Sequence, residues 1–276
     1  MTPTAHVTVQ HTLLDLDLNH PLIARSLLDP HEMHRTVMSA FRHWIPDGTP
    51  NPRAQMGVLH THATNLNTNR LTLIVQSRVP GDWTALPRNA LTAPPDTRTI
   101  TLHIAPGQRH RFRTVINPAR YTTPPGPPRP RNRNAPADTS PDAALTWFTS
   151  RLQPPGHPDY DRWPRIGATA DPTELTARPL PGLTSHTAHT GMKINRAEIT
   201  GHLTITDPHT YAKTLIHGIG RSRAYGCGLL LTQPVNNQQS PSNTPAHEGP
   251  PRTSGDEPTT RLAIPPMLEA APHVRG

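Results

Sequence analysis

Two histidines one helical turn apart, His31 and His34, are the residues of this sequence best placed for proton transfer. They lie in the segment DPHEMHRTVMSAFRHW, residues 29–44, whose apolar residues recur as in an amphipathic helix. The predicted buried face consists of Met33, Val37, Ala40, Phe41 and Trp44. His34 falls at the edge of that face, where packing can hold the ring while it reaches a ligand. Because histidine titrates near neutrality, His34 is a candidate acid or base.

The start of this helix carries clear signals. Asp29 can cap it, Pro30 suits its first position, and Glu32 completes a capping box. The predicted solvent face consists of His31, Arg35, Ser39 and Arg42. The chain has 18 histidines, so an ordinary surface histidine is the alternative interpretation of His34.

A glycine-rich stretch, HGIGRSRAYGCGLLLTQP at 217–234, lies between a predicted helix and a predicted strand. A dinucleotide-binding motif has the opposite order, and a P-loop requires Gly-Lys-Ser/Thr, so neither fits. A helix C-cap explains Gly218 only. Closely spaced glycines let one backbone approach another, and arginines supply charge for phosphates. We therefore expect a clamp on an RNA or DNA backbone, formed by Gly218, Gly220, Arg221, Ser222, Arg223 and Gly226.

A second basic pattern is QRHRFRTVI at 108–116, in which Arg109, Arg111 and Arg113 alternate with other residues. In a strand these three side chains point to one face. Because no acid is interleaved, they resemble a phosphate track more than a solvated edge strand.

Metal, cofactor and disulfide sites have little support in the sequence. The single cysteine, Cys227, excludes a disulfide within the chain and a cysteine-based zinc site. The HTH triplet at 60–62 has no carboxylate or cysteine cluster beside it. We expect no metal and no cofactor.

The composition favours a polyanionic partner. The net charge is +8, although the dominance of arginine over lysine also resembles the coding bias of a GC-rich genome. Only 33% of residues are hydrophobic and 36 are prolines, so the folded part should be smaller than the 276-residue chain. No signal peptide or apolar run of 18 residues is present, which predicts a soluble, cytoplasmic protein with no membrane partner.

The order of elements predicts an α+β fold of two tandem ferredoxin-like (RRM-like) domains with a disordered C-terminal tail. The domains are expected at 1–95 and 96–234, and the tail at 235–276. A proline-rich linker is expected at 87–97 and a basic, proline-rich loop at 122–141. Predicted strands cover 6–16, 70–77, 99–105, 108–116, 197–207 and 227–234, and the further predicted helices cover 141–153 and 208–217.

Three of these stretches together resemble the CasE family, the CRISPR repeat-processing endoribonuclease of type I-E Cascade. They are LLDPHEMHRTVMSAF near the N-terminus, RHRFRTVINPAR in the middle and GIGRSRAYGCGLL near the end. Their order and spacing agree with the family over about 7–234. The resemblance implies tandem ferredoxin-like domains that bind the hairpin of a CRISPR repeat transcript. It also implies metal-independent cleavage at the 3′ base of the stem, with the product retained in a complex with other Cascade subunits.

The resemblance also assigns roles to residues. The family's catalytic histidine corresponds to His34, the basic residue after it to Arg35, and the lysine of the glycine-rich loop to Arg223. The family commonly has a catalytic tyrosine where this chain has His31, so His31 is the candidate second catalytic residue. The expected products are a 2′,3′-cyclic phosphate and a 5′-hydroxyl. Three alternatives stay open: a non-cleaving RNA-binding subunit of the same complex, a DNA-binding regulator, and a scaffold with a basic surface.

Overall fold

The strands of the first sheet follow the alternation of apolar residues along the N-terminal part of the chain. A computed structural model describes residues 3–46, 48–119, 138–158, 160–185 and 192–235. The loop predicted at 122–141 and the tail predicted at 235–276 lie outside these residues, except for 138–141 and 235.

The first sheet is antiparallel, with the strand order β2-β3-β1-β4. Its strands are β1 (Ala5–Asp17), β2 (Leu59–Asn65), β3 (Arg70–Ser77) and β4 (Asp96–Ile104). Three helices connect β1 to β2: α1 (Pro21–Leu28), α2 (Pro30–Ser39) and α3 (Pro52–Gln55). This is the ferredoxin-like strand order. Two short 3-10 helices, Trp83–Ala85 and Arg88–Ala90, stand between β3 and β4, where that fold has its second helix.

The second sheet repeats the same order. Its strands are β5 (Arg109–Ile116), β6 (Ala168–Thr169), β7 (Thr176–Thr184), β8 (Lys193–Ile205) and β9 (Leu230–Pro234). The helices are α4 (Pro141–Thr149), after β5, and α5 (Pro208–His217), after β8. The strands run β6-β8-β5-β9, and β7 also pairs with β8. The predicted α+β fold with two ferredoxin-like units is therefore confirmed.

Strand β1 takes part in two cores because it buries opposite faces at its two ends. Val7 and Val9 pack in the core that contains α4, α5 and the second sheet. Leu14 and Leu16, on the other face, pack beneath α1 and α2. Apolar packing therefore joins the two halves of the chain, and α5 lies against β1.

Several predicted boundaries differ from the structure. The pairing of β4 with β1 places residues 96–104 in the first sheet, whereas the prediction assigned them to the second domain. The helix predicted over 29–44 ends at Ser39, so Trp44 leaves the buried face and is 42% exposed. The linker predicted at 87–97 is partly packed, because Ala90 is buried and Leu91 bridges to Leu16. No helix among the described residues is long and apolar enough to cross a membrane.

Candidate active site

The N-terminus of α2 is fixed from two directions. Asp29 caps it by accepting a 2.9 Å hydrogen bond from the His31 backbone N–H. Its second carboxylate oxygen accepts a 3.3 Å bond from the Ser185 hydroxyl, just after β7. Glu32 does not close the predicted capping box: it forms ion pairs with Arg25 and Arg35 instead. These contacts fix the helix turn that presents His31 and His34.

His34 lies between α2 and the glycine-rich loop. Its ring centroid is 6.4 Å from that of His31 and 6.1 Å from that of Tyr225, whose ring meets it edge to face. Burial, followed by the charges of Arg53 and His31, lowers the pKa of His34 to about 4. The imidazole is therefore neutral at pH 7 and can accept a proton.

Strand β2 contributes two more histidines to the same place. His60 and His62 point to one face of the strand, and a β-carbon at Gly226 would lie 3.5 Å from His60 Nε2 and 3.6 Å from His62 Nδ1. Both nitrogens are buried without a hydrogen-bond partner among the described residues. Burial, followed by the charge of Arg196, lowers the pKa of His62 to about 4. Burial also lowers the pKa of His60 well below its ordinary value.

Arg53 and Arg196 act electrostatically on His60, and Arg223 lies near Arg53. Arg53 Nη1 donates a 2.7 Å hydrogen bond to the Val58 carbonyl, and Arg223 Nη1 donates one of 2.9 Å to the His217 carbonyl. Arg196, which is 8% exposed, donates two bonds to the Pro181 carbonyl. Burial and the nearby charge of Arg223 lower the pKa of Arg53. Guanidinium groups gathered around neutral imidazoles are suited to binding a phosphate.

The glycines of the loop pack mainly against the protein itself. Gly218 has φ +74° and ends α5, and a β-carbon there would lie 2.8 Å from the Gly228 carbonyl oxygen. A β-carbon at Gly220 would lie 2.7 Å from the Trp147 ring. These glycines therefore allow the two ends of the loop to approach one another, and the clamp on a nucleic-acid backbone stays a prediction.

A single 3-10 turn, Arg223–Tyr225, forms the tip of the loop. It is bounded by Ser222 at φ +58° and Gly226 at φ +80°, both left-handed. The left-handed Ser222 is held by a 2.9 Å hydrogen bond from the Asn117 side chain to its hydroxyl. The turn packs against α2 and β2, so Tyr225 and Gly226 reach the histidine cluster.

The three arginines of β5 share one face, because His110, Phe112 and Thr114 between them are buried. No acid is interleaved between them in the sequence, but acidic side chains from other elements pair with two of them. Arg109 pairs with Glu174 at 2.5 Å, and Arg113 pairs with Glu198 at 2.6 Å.

Glu198 also accepts a 2.8 Å bond from Arg178. Burial acts to raise the pKa of Glu198, but the hydrogen bonds and charges of Arg178 and Arg113 lower this pKa overall. Arg111 is exposed and, of the three arginines on β5, is the one oriented most openly to solvent.

The structure therefore brings together one part of the predicted site. His31 and His34 lie on the helix against which the turn with Arg223 packs, and Gly226 lies at the histidines of β2. Arg35 is exposed beside Glu32, and Arg221 is exposed on the loop. Arg109, Arg111 and Arg113 lie on the second sheet, and Arg113 acts electrostatically on His62.

Sequence reasoning missed several residues of the cluster, namely Arg53, His60, His62, Arg196 and Tyr225. The spacing of His60 and His62 was a usable signal, because residues two apart share a face of a strand. The HTH triplet lacks the neighbours of a metal site, but as a strand it directs both rings to one face.

Comparison with known proteins identifies the family. Residues 11–234 match the family described as "CRISPR associated protein". The chain belongs to this family. A curated member, the CRISPR-associated endoribonuclease Cse3 of Thermus thermophilus, is 27% identical over 213 residues, which cover 76% of this chain and 92% of that protein. The predicted family resemblance is therefore confirmed.

Solved structures support the fold. A structure of Thermus thermophilus Cse3 bound to an RNA that represents a pre-cleavage complex has a TM-score of 0.62 at 23% identity and covers 82% of this chain and 100% of that chain. Cas6e of Escherichia coli str. K-12 has a TM-score of 0.54 at 16% identity and covers 82% and 100% of the two chains.

Proposed function

We propose that this chain is a metal-independent endoribonuclease of CRISPR RNA. It binds the hairpin of the repeat and cleaves precursor RNA at the 3′ base of the stem. The products carry a 2′,3′-cyclic phosphate and a 5′-hydroxyl. The protein then stays bound to the processed RNA as a subunit of Cascade.

The observation that carries this proposal is the neutral imidazole of His34 in a cluster of guanidinium groups. RNA contains its own nucleophile, the 2′-hydroxyl next to the scissile phosphate. A base must remove its proton during attack, and a group with a pKa near 4 is free to accept one at pH 7. The surrounding arginines attract the phosphate that carries this nucleophile.

Each step has a candidate side chain. His34 accepts the 2′-hydroxyl proton while the 2′-oxygen attacks phosphorus. Arg53 and Arg223 lie close enough to influence one another and can stabilise the negative charge that develops on the phosphorane oxygens. His31, one helical turn from His34, is the candidate partner in proton transfer. The residues proposed to bind RNA are four arginines and five residues of the loop: Arg35, Arg109, Arg111, Arg113, Gly218, Gly220, Arg221, Ser222 and Gly226.

The named relatives support this assignment. The curated relative from Thermus thermophilus is called an endoribonuclease. Structures similar to this chain hold a 19-nucleotide RNA or belong to a CRISPR RNA-guided surveillance complex. Repeat RNA and other subunits of such a complex are therefore the proposed partners.

The test uses purified protein and its own repeat RNA in EDTA under single-turnover conditions. We expect cleavage at one site by the unchanged protein and by the control His209→Ala, which alters an exposed histidine on α5. We expect His34→Ala to lose cleavage by at least about 100-fold, while hairpin affinity changes less than about threefold. Equal losses of binding and cleavage would make His34 a binding or structural residue.

A non-cleaving RNA-binding subunit is the second candidate function. The resemblance to the CasE family favours it, because that resemblance implies a catalytic tyrosine at the position of His31. Tight hairpin binding by the unchanged protein without any cleavage would establish this function instead.

A further inference from the structure

Tyr225 is held rigidly at the tip of the glycine-rich loop. Its backbone N–H donates a 2.9 Å hydrogen bond to the Ser222 carbonyl, which also accepts one of 3.4 Å from Cys227. Ser222 is in turn fixed by the Asn117 side chain. The next turn is anchored by a 2.6 Å bond from the Gly228 N–H to the Val115 carbonyl. The hydrogen bonds that hold this turn therefore come from the turn itself and from the second sheet.

The ring is placed between an apolar cluster and the reactive histidine. One side packs against Val115, Ile194 and Cys227. The ring also meets His34 edge to face, with planes at 72°. Its hydroxyl makes no hydrogen bond to the described residues of the chain. A fixed phenol with an uncommitted hydroxyl beside a catalytic base is available to a bound substrate.

The proposed reaction leaves one role that His34 cannot fill at first. The departing 5′-oxygen needs a proton, and a neutral His34 has none to give until it has taken one from the 2′-hydroxyl. Tyr225 and His31 each approach His34, at 6.1 and 6.4 Å between ring centroids, but Tyr225 stands on the glycine-rich loop and His31 on α2. A base and an acid on two separate elements can face the attacking and leaving oxygens of one phosphate.

We infer that Tyr225 is the general acid of the cleavage, which rests on the proposed function of the site. The bond between the 2′-oxygen and phosphorus forms as the bond between phosphorus and the 5′-oxygen breaks. His34 takes the 2′-hydroxyl proton, and the Tyr225 hydroxyl gives its proton to the 5′-oxygen. The positive imidazolium then returns a proton to the phenolate, so both side chains regain their starting state without another reactant.

Guanidinium groups lie near Tyr225. Arg223 is two residues from Tyr225 in the same turn, and Arg53 feels the charge of Arg223. Positive charge at these groups stabilises the phosphorane while the proton is transferred. His31 is the competing acid, and a substrate whose leaving group needs no proton distinguishes Tyr225 from His31.

The experiment compares two repeat RNAs, one ordinary and one with sulfur in place of the scissile 5′-bridging oxygen. A thiolate leaves without protonation, so the sulfur substrate does not need a general acid. We expect Tyr225→Phe to slow single-turnover cleavage of the ordinary RNA by about 100-fold or more. On the sulfur substrate it should cleave within a few-fold of the unchanged protein. His34→Ala should stay slow on both, because the base is still required.

Tyr160→Phe is the matched control, since it removes one hydroxyl from a tyrosine that stacks on Arg165 after α4. It should behave like the unchanged protein on both RNAs. Ordinary rates for Tyr225→Phe, or equal slowing on both RNAs, would overturn the role of Tyr225 while the endonuclease remains. Sulfur rescue of His31→Ala alone would assign the acid to His31. An unchanged protein that cuts neither RNA would overturn the proposed function and this inference together.

Discussion

Acidification should unfold this protein through its buried histidines before its carboxylates titrate. Burial lowers the pKa values of His34, His62 and His110 to about 4 from an ordinary 6.5. Between these values the unfolded chain binds protons that the folded chain does not, so the free energy of unfolding rises with pH. Each histidine contributes up to about 1.4 kcal/mol per pH unit, and three contribute up to about 4 kcal/mol per pH unit.

The loss of unfolding free energy on acidification is therefore large compared with a typical total stability of about 5–15 kcal/mol. Glu198 does not obscure the effect of the histidines, because a carboxyl group with a lowered pKa loses its stabilising effect only below its ordinary pKa of 4.5. The measurement is urea unfolding followed by circular dichroism between pH 7 and pH 5. His62→Gln should reduce the slope by up to about 1.4 kcal/mol per pH unit, whereas His209→Ala should not. A free energy of unfolding that is constant over this range would refute the reasoning.

Three further predictions concern the loop, the basic strand and the base. Gly228 has φ +85° and lies against the Ile219 carbonyl, so Gly228→Ala should lower the free energy of unfolding by about 2–4 kcal/mol. Gly107 has φ +81° in open space, so Gly107→Ala should lower it by only about 1–2 kcal/mol. Equal losses in urea unfolding would contradict the packing at Gly228. Arg111→Ala should lower the salt slope of hairpin binding by about one, and an unchanged slope would remove this side chain from the interface. Because His34 is neutral, kcat/KM should show no acid limb between pH 8 and pH 5.5; a limb with a midpoint of 6 to 7 would contradict its lowered pKa.

The fold could be predicted where apolar periodicity and caps coincide. The N-terminus of α2 at Asp29 and all of α5, from the Asp207 cap to Gly218, follow from such signals. Strands β2 and β7 could not be predicted in this way. β2 is a polar edge strand, and β7 contains Pro179 and Pro181, which normally argue against a strand.

Only those parts of the candidate site that are contiguous in the sequence could be predicted. His34 and the glycine-rich loop are visible as motifs, but their meeting depends on how α2, β2 and the second sheet pack. Glu198 illustrates the limit: it lies 85 residues from Arg113, so nothing local shows that this arginine is paired. Charge compensation and burial, which set the pKa values of the site, are properties of the assembled fold.

The most direct test of the proposed chemistry is a repeat RNA with a single 2′-deoxy nucleotide at the scissile position. It removes the nucleophile and leaves the hairpin, its phosphates and the protein unchanged. The predicted result is no cleavage with ordinary affinity, beside an all-ribose RNA that yields a 2′,3′-cyclic phosphate. Cleavage of the deoxy substrate would show that the nucleophile is not the 2′-hydroxyl, and that His34 does not act as its base.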